Sequence, residues 1–195
     1  MAGDLTNILR DIVSKAASAP TSNTGDVARM RKRFEGASQK KVVLVDLSGS
    51  MASYIGSAGI AKIEHCRIAL TDLLTSHPDL IIIGFGSIVK RMKSAKDLPD
   101  AAHLWGGTDL TAAIEEAQTL KPARTIIISD GCPDNEESAS DAVDNLTGRV
   151  DCVYCGPDGH PAVAYLQSLA RKGGGAQMTF DGCLELSPMI RGLLA

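Results

Sequence analysis

Three runs, Val42-Val43-Leu44-Val45, Leu80-Ile81-Ile82-Ile83 and Thr125-Ile126-Ile127-Ile128-Ser129, are apolar at nearly every successive position. This restricts the fold more than any other feature of the chain. A strand with one face in water alternates apolar and polar side chains, whereas a strand covered on both faces is apolar throughout. Strand-like segments Val150–Tyr154 and Ala176–Phe180 follow, and helix-like segments fall between the strands at Ile60–Thr75, Asp109–Leu120, Glu136–Leu146, Pro161–Lys172 and Leu184–Leu194. This alternation predicts an α/β fold of three layers, a mainly parallel central sheet with helices on both faces. Ile88-Val89-Lys90 adds a short edge strand.

The 195 residues suit one such domain with a short appendage, and they are enough to bury most of the apolar surface in a single core. The main domain is expected over residues 40–195. Residues 1–39 divide into two parts. Leu5, Ile8, Leu9, Ile12, Val13 and Ala16 recur at helical spacing and predict an amphipathic helix, and residues 18–28 have the Pro, Ser, Thr, Asn and Gly content of a linker.

Charge is distributed unevenly along the chain. Residues 1–41 carry 8 Lys and Arg against 4 Asp and Glu, and residues 42–195 carry 12 against 19. A basic arm on an acidic body suits an acidic partner, but no long Lys/Arg run supports nucleic-acid binding. No stretch approaches the roughly 20 apolar residues of a spanning helix, and the start lacks a signal-peptide pattern. The five cysteines are odd in number and lie in or beside apolar segments, unlike a secreted disulfide framework. A cytoplasmic location is therefore expected.

In an open α/β sheet, ligands sit beyond the carboxyl ends of the strands, where the strand order reverses. Three polar loops occupy such positions. Asp46-Leu47-Ser48-Gly49-Ser50 follows the first apolar run, Gly106-Gly107-Thr108-Asp109-Leu110 opens a helix, and Ile128-Ser129-Asp130-Gly131 ends another buried run. Ser48, Ser50 and Thr108 of these loops offer three hydroxyls and Asp46 and Asp130 two carboxylates, without imidazole or thiolate. Hard oxygen donors select Mg²⁺, Mn²⁺ or Ca²⁺ over zinc and copper. Neutral hydroxyls leave such an ion electrophilic toward an acidic group from outside.

In their order along the chain, DLSGS, GGTDL and IISDG resemble the metal-ion-dependent adhesion site of von Willebrand factor type A (vWA) domains, over roughly residues 40–195. The resemblance implies a Rossmann-like fold with one antiparallel edge strand, and Phe85 matches the aromatic that commonly ends the family's second strand. It implies that Ser48, Ser50 and Thr108 coordinate the metal, taken as Mg²⁺, while Asp46 and Asp130 act mainly through water. It further implies a non-enzymatic module that grips an Asp or Glu of a protein partner, with an AAA+ (MoxR-like) ATPase as the leading partner class. A structural or assembly role in a phage or bacterial complex is the alternative, and a ribonucleoprotein scaffold fits the acidic domain less well. In relatives, ligation is sometimes coupled to a shift of the final helix, here Leu184–Leu194.

Other signals are weaker. The Cys152-x-x-Cys155 string lies inside an apolar run with no helix N-terminus to activate a thiol, so buried core thiols are expected. Cys132 and His160 are expected near the same loop face. The two strand-ending aspartates also resemble haloacid-dehalogenase-like phosphatases, but Ser48 stands where that chemistry needs an acid/base Asp. No P-loop is present.

Overall fold

The computed structural model describes residues 31, 33–57 and 59–195. The amphipathic helix expected over residues 5–16 and the linker over 18–28 lie outside the described residues. Residues from Arg33 to Ala195 form one compact unit.

Six strands make the main sheet: β1 (Lys41–Asp46), β4 (Ile81–Phe85), β5 (Val89–Met92), β6 (Arg124–Ser129), β7 (Arg149–Cys155) and β8 (Gly174–Phe180). Their order across the sheet is β5-β4-β1-β6-β7-β8. Only the β4–β5 pair is antiparallel; the other four pairings are parallel. The mainly parallel sheet with one antiparallel edge strand is thus present. β5 protects its edge with Lys90 and Arg91, charges that discourage further strand pairing.

Helices α1 (Lys62–Ser76) and α5 (Leu186–Leu194) cover one face, and α2 (Leu110–Gln118), α3 (Glu136–Asn145) and α4 (Pro161–Lys172) cover the other. Because side chains alternate across a strand, Val43 and Val45 pack with Ile63, Leu70 and Ile190, while Val42 and Leu44 pack with Ile114, Val143 and Leu166. Every one of these side chains is essentially inaccessible, which accounts for the continuously apolar runs. Burying each stabilises the fold by about 1.5–3 kcal/mol before entropy is counted.

The helix expected from Ile60 begins instead at Lys62. Ile60-Ala61 is a strand, β3, paired antiparallel with β2 (Tyr54–Ile55) in a small hairpin. Its apolar spacing runs on into α1, so periodicity alone merged the two. The final helix starts at Leu186 rather than Leu184 and is pinned to α1. Asp72 accepts hydrogen bonds from Ser187 and, at 2.7 Å, from Arg191.

The chain leaves β1 for β4 on one side and later places β6 on the other. The carboxyl end of β1 is therefore the switch point at which an open sheet presents a crevice. Asp46 is its last residue.

Candidate metal centre

Asp46 is wholly buried, and its carboxylate is held by neutral donors. Oδ1 accepts the Ser48 backbone N–H at 2.8 Å, and Oδ2 accepts the Ser129 hydroxyl at 2.6 Å. The first bond is the local turn that Asp makes with a backbone two residues on, and it brings Ser48 and Ser50 over the strand end. The Ser48 and Ser50 Oγ atoms lie 3.0 Å apart, and Ser50 Oγ donates to Asp130 Oδ1 at 2.7 Å. The second Asp130 oxygen accepts from Lys62 Nζ, also at 2.7 Å. Four of the five residues expected from sequence thus stand in one hydrogen-bonded chain, ending on an ammonium.

Thr108 lies on the neighbouring loop, with no hydrogen bond to the other four among the described residues. Its loop is tied to the same strand ends: Trp105 N–H donates to the Leu47 carbonyl at 2.9 Å and Asp109 N–H to the Gly86 carbonyl at 3.0 Å. Gly106 and Gly107 both have positive φ, 67° and 61°, which favours glycine. A Cβ on Gly86 would come within 2.8 Å of the Gly106 carbonyl oxygen, so that approach also requires glycine. Asp134 fixes Thr108 from the far side, accepting its N–H at 2.9 Å and donating its own N–H back at 3.1 Å.

Burial pushes the Asp46 carboxyl up to about 6, with the Ser129 and Ser48 hydrogen bonds pulling it down and the nearby Asp130 raising it further. At neutral pH the group is still mostly ionised, a buried negative charge compensated by dipoles. The oxygen-only donor set and this charge fit a hard divalent cation. Among the described residues no group of three or more His, Cys, Asp or Glu could hold a metal, so the site depends on its hydroxyls.

Three of these residues, Ser129, Lys62 and Asp134, were not singled out in the sequence. Ser129 closes an apolar strand, and Lys62 and Asp134 are ordinary surface residues by composition. Asp109 caps α2, its side chain accepting from Ala112 N–H at 3.0 Å. His160 caps α4 and stacks on Tyr154, with ring centroids 5.8 Å apart. Cys152 and Cys155 are fully buried. The Cys155 thiol is pushed well up by a hydrogen bond with Cys66 and by burial, and burial chiefly raises Cys152, as expected of core thiols. Burial and Glu136 lift Cys132 to about 11.

No protein-family model matches the sequence, and no curated protein matches it. Solved structures do. An aerotolerance-related membrane protein from Bacteroides fragilis superimposes with a TM-score of 0.64 at 15% identity, over 80% of this chain and 98% of that one. A von Willebrand factor type A protein from Catenulispora acidiphila also gives 0.64, at 17% identity over 82% of this chain and 42% of that one. The fold is that of a vWA domain. The manganese-loaded TRAP protein of Plasmodium vivax gives 0.56 at 20% identity, over 80% of this chain and 74% of that one. At these identities the likeness is one of fold, and this vWA fold spans less than half of the Catenulispora chain. Among the described residues no helix is long and apolar enough to cross a membrane.

Proposed function

We propose that the loops at the carboxyl end of β1 form a metal-dependent protein-interaction site, in which Ser48, Ser50 and Thr108 hold a divalent cation, taken as Mg²⁺, and Asp46 and Asp130 hold it through water. The observation that carries this reading is the hydrogen-bonded cluster at the sheet's switch point, in which the hydroxyls of Ser129, Ser48 and Ser50 and the carboxylates of Asp46 and Asp130 are brought together, with the Ser48 N–H linking Asp46 to the two serines. The manganese in the TRAP neighbour supports a divalent ion on this fold. When bound, the ion supplies an electrophile for a carboxylate oxygen of a partner protein.

The residues of the chain have distinct parts in this. Asp46 supplies buried negative charge, Ser129 and the Ser48 N–H orient it, and Asp134 and the paired glycines hold Thr108 in place. We read the module as a binding rather than a catalytic one, because Ser48 is a hydroxyl at the position where phosphoryl transfer needs a second carboxylic acid. We place it in the cytoplasm, as an adaptor whose partner supplies an Asp or Glu to the metal, with an AAA+ ATPase of the MoxR-like class as the leading candidate. A part in a phage or bacterial assembly is the alternative.

The test is uptake of Mn²⁺ followed by electron paramagnetic resonance, for the wild type and Asp46→Ala. Binding by the wild type that Asp46→Ala abolishes is expected. If the folded wild type takes up no Mn²⁺ at millimolar concentration, the reading fails. Affinity capture in Mg²⁺ and in EDTA then asks whether an AAA+ ATPase is retained only with metal.

A further inference from the structure

Lys62 is the first residue of α1, directly after the β2–β3 hairpin. Its Nζ lies 2.7 Å from Asp130 Oδ2, in a pair whose side chains are only 12% and 1% exposed. The other Asp130 oxygen belongs to the hydroxyl cluster through Ser50. A fixed positive charge is thus attached to the far side of a carboxylate whose near side faces the metal centre. Screening by salt and water is weak at this depth, so like charges placed on the two sides of Asp130 repel appreciably.

Resting on the metal-site reading above, we propose that Lys62 is an affinity-setting residue, a tethered cation that competes for Asp130 and keeps a divalent ion loosely held until a partner carboxylate arrives. The charge balance makes the coupling specific. The two buried carboxylates, Asp46 and Asp130, would balance a dication by themselves, while the Asp134 carboxylate behind Thr108 is exposed and screened by solvent. With the Lys62 ammonium included, one positive charge is left over, and one incoming carboxylate cancels it. Lys62 therefore weakens metal binding in the free protein and favours the ternary arrangement, so that metal and acidic partner bind cooperatively.

A purely structural pair, stapling α1 to the end of β6, would have a different signature. Its removal would lower stability and leave metal affinity unchanged or reduced. The experiment measures Mn²⁺ affinity of the full chain by electron paramagnetic resonance, in chloride buffer with and without acetate as the carboxylate probe, for wild type, Lys62→Met and Lys62→Arg. Thermal unfolding confirms that each variant is folded, and Lys62→Gln replaces Lys62→Met if the latter is not. Lys62→Met is expected to bind Mn²⁺ about 10- to 100-fold more tightly than wild type, the usual size of effects exerted from beyond the metal's own ligands. Acetate should tighten the wild type and leave Lys62→Met nearly unchanged, and Lys62→Arg should behave as wild type. Equal or weaker binding by Lys62→Met, with Asp46→Ala still abolishing uptake, overturns the role of Lys62 and leaves the metal site standing. If neither wild type nor Lys62→Met takes up Mn²⁺, the metal site itself falls and the role of Lys62 falls with it.

Discussion

The two ends of the sheet each bury an aspartate completely, and they compensate it by different means. At the amino end of β7, Asp151 is paired with permanent cations. Oδ1 accepts from Arg149 at 2.9 and 2.7 Å and from the Ala176 N–H at 2.8 Å. Arg124 stands 3.9 Å from Oδ2, close enough for charge attraction although that oxygen has no hydrogen bond. Arg33 closes the same end, donating to the carbonyls of Gly148 and Val143 at 2.6 Å. At the carboxyl end of β1, Asp46 is held by a backbone N–H and by serine hydroxyls, and its carboxyl rises to about 6 through burial. One end spends its polar groups on closure, while the other retains a charge held by neutral dipoles, as suits a site that binds a cation from outside.

The same substitution made at both ends gives the sharpest contrast. Asp151→Asn leaves Arg149 facing a neutral amide at the sheet's buried end. Removing one partner of a buried pair costs about 3–5 kcal/mol, and the partial exposure of Arg149 lowers the expectation to about 2–3 kcal/mol. Denaturant unfolding of the metal-free protein measures the loss, and Mn²⁺ affinity should be unchanged. A stability loss below about 0.5 kcal/mol would remove the closure role of this end.

Asp46→Asn should act in the opposite direction. The rise of Asp46 from 3.8 to about 6 means that ionisation at neutral pH opposes folding by about 3 kcal/mol. The amide keeps an acceptor for the Ser48 N–H and abolishes the charge, so the metal-free variant should be about 1–3 kcal/mol more stable than wild type at pH 7.5, while Mn²⁺ uptake disappears. A destabilised variant would show that Asp46 is as much a structural residue as Asp151.

The pH dependence of that difference follows from the direction of the shift. The folded protein holds the Asp46 proton more tightly than the unfolded chain, so its contribution to stability is fully present below about pH 4 and is lost as pH rises through about 6. The advantage of Asp46→Asn over wild type should therefore shrink by about two-thirds between pH 7.5 and pH 4.5 and vanish only below about pH 4. Paired urea titrations at the two pH values check this. An advantage that does not change with pH would assign it to packing rather than to charge.

The contrast also explains what the sequence could show. Strands β1, β4 and β6 were legible because burial on both faces leaves an unbroken apolar signature, and Asp46, Ser48 and Ser50 were legible because they crowd one turn directly after such a strand. Ser129 was hidden as the polar end of an apolar run, and its partner lies 83 positions away. Lys62 and Asp134 join the site across 68 and 26 positions, and no local pattern marks such pairings. The cationic closure around Asp151 was invisible for the same reason. Arg149 and Asp151 read as the ordinary charged start of a strand, and only the fold brings Arg124 alongside.

Asp109 tests how sharply the metal end is bounded. It lies in the same GGTDL loop as Thr108, where an acidic side chain invites a role in tuning the charge of the site. In the structure it is exposed, and its carboxylate accepts from Ala112 N–H at 3.0 Å, satisfying one of the free donors at the start of α2. Loss of such a cap costs about 1 kcal/mol. Asp109→Ala should therefore lower stability by that amount and leave Mn²⁺ affinity within about twofold of wild type, since an exposed charge is screened within about 10 Å at ordinary salt. Asp109→Asn, which can still cap, should restore the stability. If Asp109→Ala weakens Mn²⁺ binding strongly while Asp109→Asn restores stability but not binding, the charge of Asp109 belongs to the site, and the boundary between the binding loops and the capped helix must move one residue further along the chain.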